Sequence, residues 1–274
     1  MKQKTLLMVI ILAAILETNV FAFSNSLLGY DSSANVATES SSFFSGLVNS
    51  FYSNIIQENR YLLIWDGLKT TVIISLFAML FGTGLGALIC FMRMSKRTVL
   101  NLPARVYINV LRGIPVLVLL MLIFYVVFAS VDINPVLVAI IAFGMNFAAY
   151  VSEIFRVGIK GIDKGQTEAA IAMGFSKLKT FRYIVLPQTV PRILPVYKNE
   201  FIALVKMTSI VGYIAVQDLT KAGDIIRSRT FDAFFPLIIT AILYFVISWV
   251  LIQSLDYLEQ ITDPKYKRRR EGKA

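Results

Sequence analysis

The 274 residues are 57% hydrophobic and only 16% charged, with a net charge of +10, one cysteine and no histidine. Against roughly 25% charged residues in a soluble domain, this composition argues against a water-exposed fold. The missing histidines exclude histidine triads and histidine metal sites, no metal cluster or catalytic triad is suggested by the remaining residues, and the lone Cys90 excludes an intrachain disulfide.

The chain starts with two lysines, Lys2 and Lys4, then an apolar run from Leu6 to Leu16, then Val20 and Ala22 at the small-residue spacing of a signal-peptidase site. Residues 1–22 therefore read as a signal-like hydrophobic segment, or as a retained extra helix broken by Glu17. Either reading places residues 23–60 outside the cell as an extracytoplasmic lead. Its first part is rich in serine and asparagine. Phe44, Leu47, Phe51 and Ile55 then recur at helical spacing, which predicts an amphipathic helix on the outer membrane face.

Residues 61–260 form the expected membrane domain. Thr70 to Met92, Gly113 to Val131, Ile133 to Ser152 and Ala233 to Leu255 contain no charge. A bilayer core of about 30 Å needs about 20 apolar residues at about 1.5 Å each, so each window can cross. The predicted spans cover about 63–92, 107–131, 135–159, 191–216 and 233–257, the fourth being the weakest. In "GTGLGAL" the first span carries small residues suited to close helix packing, and no lysine follows to make a phosphate loop. Pro135 is placed to open the third span after the turn "DINP".

Basic residues gather after the first span (Arg93, Lys96, Arg97, Arg105), between Arg156 and Arg192, and in the tail 261–274, whereas Lys221, Arg227 and Arg229 are interspersed with Asp218, Asp224 and Asp232. That is the positive-inside pattern. It predicts a multi-pass protein with its N-terminus outside, its C-terminus in the cytoplasm and an outer loop at 217–232. It assigns the excess charge to the membrane rather than to nucleic acid.

The cytoplasmic stretch "EAAIAMGFSKLKTFRYIVLP" predicts a helix over about 167–173, a left-handed turn at Gly174, and a second helix capped by Ser176 and running to Pro187. Ala169 and Ala170 keep the first helix low, Ile171, Phe175 and Leu178 fall near one stripe, and Glu168, Lys177 and Lys179 supply charge. This elbow suits docking in a groove of another protein.

The fourth span holds Glu200 and Lys206, which cost about 2.5 to 3.5 kcal/mol each on insertion scales. Glu153 and Arg112 are the charges available to them. Asn146, Asn199, Thr208 and Ser209 add polar groups at bundle depth, and together these eight are the candidate translocation path. On these residues alone, a channel or ion-coupled carrier remains an alternative.

Glu168, Ala169, Ala170, Gly174, Ile184, Leu186 and Pro187 together resemble the cytoplasmic EAA loop of ABC-importer permeases. "LRGIPVLVL", "AAYVSEIFRVGI", "KGQTEAA" and "NEFIALVKMTSI" are similar to the polar-amino-acid (histidine/glutamine type) branch. Ile114, Leu119 and Met207 depart from that pattern by putting apolar side chains where it has polar ones. The resemblance implies an all-α polytopic membrane helical bundle of the type I ABC-importer permease fold, with five core transmembrane helices plus the N-terminal hydrophobic segment, in a bacterial inner membrane. It implies a non-enzymatic transport subunit that binds no cofactor itself and whose coupled ATP is hydrolysed by separate ABC ATPase subunits docked on the seven elbow residues. A second permease chain, an extracytoplasmic solute-binding protein landing on 217–232, and the lipid bilayer are the other implied partners.

Overall fold

The computed structural model describes residues 46 and 48–262, and among them every regular element is helical. The chain divides into two compact units, Met1–Asn49 and Ser50–Ala274. Of the first, residues 46, 48 and 49 are described, as helix. The signal-like segment, Phe44, Leu47 and most of the basic tail lie outside the described residues.

The second unit starts with a wide π turn, Tyr52–Ile56, and a 3-10 turn, Gln57–Asn59. Phe51 meets Phe235 edge-on at 6.2 Å, and Asn54 Nδ2 donates to Asp232 Oδ2 at 2.8 Å. From Ser50 to Ile56 the expected amphipathic helix is thus helical and is clipped to the segment ahead of the last helix. It stops because Glu58 and Asn59 take positive φ, 56° and 55°, which no helix continues.

Helix α1, Tyr61–Met94, is followed by α2, Thr98–Gly113, and α3, Val116–Leu122, which a π turn extends to Val127. The sequence predicts a single second span here, over about 107–131. The structure instead bends α2 against α3 by 109°. Pro115 supplies no N–H and forces Ile114 into extended backbone (φ −96°, ψ 132°), and that pair breaks the span. The basic stretch after α1, expected as a loop, is mostly α2.

Helix α4, Pro135–Lys160, starts at the predicted proline, with the Asn134 side chain accepting from Val136 N at 2.9 Å. Helix α5 is Lys164–Ala172 and α6 is Lys177–Thr180. A wide turn, Phe181–Val185, leads without a break into α7, Leu186–Met207. The expected stop at Pro187 does not occur, because the proline falls in the first turn of α7, where its missing N–H costs little. A 3-10 turn, Thr208–Ile214, ends at Ala215 with φ 60°. Helix α8, Leu219–Thr230, then occupies the expected outer loop, and α9, Phe234–Thr262, closes the bundle.

Helices α1, α4 and α9 are each long and apolar enough to cross a membrane. Among the described residues, the bent pairs α2–α3 and Lys177–Ile214 with α8 bring the count to five if each is one span. The most extensive helix contact is α1 with α4. In lipid such contact rests on close packing, since hydrocarbon surrounds both helices anyway. A Cβ on Gly82 would lie 2.7 Å from Gly144 O and 2.9 Å from Phe147 Cδ1, and one on Gly86 3.0 Å from Ala148 O. Gly82 and Gly86 of "GTGLGAL" pack the two helices together, as expected, while a Cβ on Gly84 would meet nothing within 4 Å. Around this contact Ile74, Leu120, Phe143, Phe147, Phe201 and Leu204 are fully or almost fully buried.

The mixed-charge segment folds because Asp218 caps α8. Its carboxylate is buried and accepts from Thr220 N (3.1 Å), Lys221 N (2.9 Å) and Tyr244 Oη (3.0 Å). Next to it Leu219 N donates to Thr71 Oγ1 at 3.2 Å, and a Cβ on Gly67 would sit 2.6 Å from Asp218 O. This one residue therefore ties α8 to α1 and α9. Changing Asp218 to alanine takes the acceptor from two N–H groups at the start of α8 and from the Tyr244 hydroxyl, which keeps Thr220 Oγ1 at 3.0 Å, and is expected to cost about 2 kcal/mol. The midpoint of thermal unfolding in detergent should fall by about 4 to 8 °C. Tyr244→Phe, which removes one donor, should lower it less, and an equal loss in both would show that the cap is not the main term.

Candidate functional site

The elbow is built from three local devices. Asp163 caps α5 by accepting from Gly165 N at 2.6 Å. At the other end Gly174 has φ +87°, its N–H donates to Ile171 O (2.9 Å), and Phe175 N–H donates to Ala170 O (3.0 Å). These paired bonds are the Schellman arrangement, satisfying carbonyls that the helix end would leave bare. Ser176 Oγ then accepts from Lys179 N at 3.4 Å, a weak cap for α6. The left-handed turn and the Ser176 cap are as the sequence predicts, while α5 begins three residues earlier.

Glu168 and Ala169 are exposed, but Ala170 is fully buried, facing the elbow's own interior. The low outward surface expected of both alanines is therefore supplied by Ala169 alone. Ile171, Phe175 and Leu178 are exposed at 47%, 37% and 76%, so the expected apolar stripe is open. Ile184 is half-buried, and Leu186 and Pro187 are exposed at the start of α7. Arg192 of α7 donates to Gly161 O at the end of α4, where its charge also complements the helix dipole. The elbow thus hangs between two core helices and is fastened to both.

The structure separates the eight candidate path residues into groups. Asn146 is buried and donates to Leu111 O at 3.0 Å, holding the end of α2. Glu153 accepts from Arg156 Nε (2.9 Å) and Nη2 (2.5 Å) and pairs with Arg93 at 3.8 Å, tying α4 to α1. Arg112, beside the Pro115 break, stacks on Tyr150 at 4.9 Å, and its charge acts on both Glu153 and Glu200. Glu200 is half-buried and Lys206 exposed. Among the described residues neither has an ion-pair partner within 4.0 Å. Asn199 is exposed, Thr208 is buried with its hydroxyl donating to Val205 O, and Ser209 is half-buried.

Sequence reasoning missed two charges. Lys198 of α7 and Asp256 of α9 pair at 2.6 Å, with side chains 12% and 30% exposed. Lys198 lies two residues before Glu200, so the same count of charges in an apolar helix could have flagged it. The mixed charges around Asp218 predict a loop, although aspartate ahead of "LTKA" is a helix-cap signal.

Residues 78–268 match the family described as binding-protein-dependent transport system inner membrane component. A probable amino-acid ABC transporter permease protein of Bacillus subtilis, YckA, is 36% identical over 201 residues, covering 73% of this chain and 87% of its own. A putative glutamine transport system permease protein of Rickettsia typhi, GlnP, is 33% identical over 208 residues, covering 75% and 94%. Among solved structures, a chain from an amino acid ABC transporter crystallised with histidines superposes with a TM-score of 0.66 at 38% identity, over 73% of this chain and 94% of that one.

Proposed function

The chain belongs to the binding-protein-dependent transport system inner membrane component family, and from that membership we propose that it is the membrane-spanning permease subunit of an ATP-driven amino-acid importer. The observation that carries this reading at the level of residues is the exposed elbow at 164–187, capped at both ends and fastened to α4 and α7. A channel or ion-coupled carrier would have no use for such an element, and the relatives do not favour one.

In this reading the elbow faces the cytoplasm and Glu168, Ala169, Gly174, Ile184, Leu186 and Pro187 meet the ATPase, with Ala170 packing beneath them. ATP bound and hydrolysed by that partner drives its closure. The motion passes from α5 to the ends of α4 and α7 and rocks the spans about a central path. A second permease chain, identical or related, completes the path, and a solute-binding protein lands at the end where α8 lies. The C-terminus is cytoplasmic and residues 23–60 are extracytoplasmic. Arg112, Glu200 and Lys206, with Asn199 and Ser209, are the groups left to line the path, since Asn146, Glu153 and Thr208 are held by the bundle itself.

The test is reconstitution of the full chain with its ATPase subunits in proteoliposomes and measurement of ATP-dependent uptake across a panel of amino acids. Uptake of an amino acid that requires both ATP and the ATPase is expected, and uptake that needs neither overturns the proposal. In the same assay Lys206→Met should reduce uptake about tenfold, a loss of about 1.4 kcal/mol, with the complex still assembled. Unchanged uptake would place Lys206 outside the path.

A further inference from the structure

The turn between α1 and α2 has a feature that docking and transport leave unused. Arg93, Lys96, Arg97 and Arg105 cluster there, and no aspartate or glutamate occurs between Met94 and Val131. Lys96, Arg97 and Arg105 are exposed, and among the described residues no carboxylate pairs with any of them. The group that organises the cluster is neutral. Asn101 Oδ1 accepts from Arg105 Nε (2.6 Å) and Arg93 Nη1 (3.2 Å), while its Nδ2 donates to Arg93 O (2.5 Å) and Ser95 O (3.2 Å). The amide thus closes the turn and orients two guanidinium groups without cancelling their charge. Arg105 retains its terminal N–H donors for something outside.

Depth and apolar surface select what that is. The charge-free run of α1 ends at Met92, and its 23 residues from Thr70 span about 34 Å, so Arg93 to Arg97 fall at the level of lipid headgroups. Helix α2 buries Ala104, Ile108 and Leu111 and turns Val99, Leu102, Val106 and Val110 outward, with exposures of 83%, 56%, 53% and 46%. These recur at i, i+3, i+7 and i+11, an apolar stripe adjoining Arg105. A cationic group over an outward apolar stripe at headgroup depth fits an amphipathic interfacial helix.

The geometry points to a binding site for an anionic phospholipid at the α1–α2 turn, with the phosphodiester on Lys96, Arg97 and Arg105 and the acyl chains along Val99, Leu102 and Val106. Guanidinium forks match phosphate oxygens, and each cation near an anionic surface contributes a separable share of the attraction.

The full chain in detergent can be titrated with phosphatidylglycerol or with zwitterionic phosphatidylcholine and the bound lipid counted by native mass spectrometry. The wild-type protein should retain phosphatidylglycerol preferentially, and Lys96→Gln/Arg97→Gln/Arg105→Gln should lose about a hundredfold in that affinity, at roughly fivefold per cation. Arg105→Gln alone leaves the Asn101 amide's bonds to Arg93 O and Ser95 O in place and removes one exposed cation. It should cost about fivefold even if the triple variant fails to insert. Equal retention of the two lipids by the wild type overturns the inference, as does a preference unchanged in Arg105→Gln. Displacement of the lipid by millimolar inorganic phosphate would make this a free-anion site, and loss of ATPase association with unchanged lipid preference would assign the surface to a protein partner. Either result overturns it.

Discussion

Gly82→Leu is expected to abolish the folded bundle, while Gly84→Leu, two residues away on the same helix, leaves it intact. A Cβ on Gly82 would approach Gly144 O to 2.7 Å and Phe147 Cδ1 to 2.9 Å, whereas one on Gly84 would meet nothing within 4 Å. The obstacle at Gly82 is a backbone carbonyl inside α4, which no rotamer change can move. The two helices must separate, and with them goes the packing of Phe143 and Phe147, each at most 2% exposed. Overpacking in a close-packed interior costs about 1 to 3 kcal/mol when side chains can adjust, and more when backbone must shift. A loss approaching total stability follows for a protein in the usual range of about 5 to 15 kcal/mol. Size-exclusion chromatography and thermal unfolding of both variants check this. A monodisperse, wild-type-like Gly82→Leu would show that the α1–α4 contact is not the keystone of the bundle.

The same contact shows why part of this architecture is legible in sequence. A span must satisfy lipid along about 20 residues, so the charge-free windows mark α1, α4 and α9, and Pro135 marks where α4 begins. Hydropathy does not report direction. Gly113 to Val131 carries no charge, yet the chain turns by 109° at its start, because Pro115 acts on backbone geometry and leaves the hydropathy unchanged. Composition also hid α8. Its charges suggested a solvated loop, but Leu219, Ala222, Gly223 and Ile226 return at helical spacing and are buried, and Asp224 pairs with Arg227 one turn on at 3.0 Å.

Site residues divide along a similar line. Gly174 and Ser176 act on their immediate neighbours, so the sequence around them suffices. Which of Ala169 and Ala170 faces outward depends on how α5 lies against Phe181–Val185, a tertiary fact. The Lys198–Asp256 pair joins residues 58 apart on α7 and α9 and depends on the rotation of both helices. Glu153 looked like Glu200 in sequence, a carboxylate in an apolar helix. In the structure Arg156 lies one turn away and Arg93 on the next helix, while among the described residues no cation lies within 4.0 Å of Glu200.

The elbow gives the sharpest functional prediction, because at Gly174 conformation can be changed without touching packing. Its φ is +87°, yet a Cβ there would meet nothing within 4 Å, so a substitution is penalised by backbone strain alone. For an ordinary L-residue the left-handed region costs about 1 to 2 kcal/mol, and a β-branched side chain is placed worst of all. In Gly174→Val that cost falls on α5, whose nine residues are all exposed or partly exposed but for Ala170, and whose ending depends on the two bonds from Gly174 N and Phe175 N. Helix α5 should fray or swing while the α1–α4 core, remote from it in sequence and packing, keeps its stability. The expected result is normal membrane insertion and thermal midpoint, with ATPase co-purification and ATP-dependent uptake each reduced at least about tenfold, the equivalent of about 1.4 kcal/mol. Asparagine tolerates this backbone region, so Gly174→Asn should restore most of both. Full uptake by Gly174→Val would mean that the capped bend does not transmit the partner's motion, and a defect equal in the asparagine and valine variants would mean that side-chain bulk at the docking surface, rather than the bend, is what the partner reads.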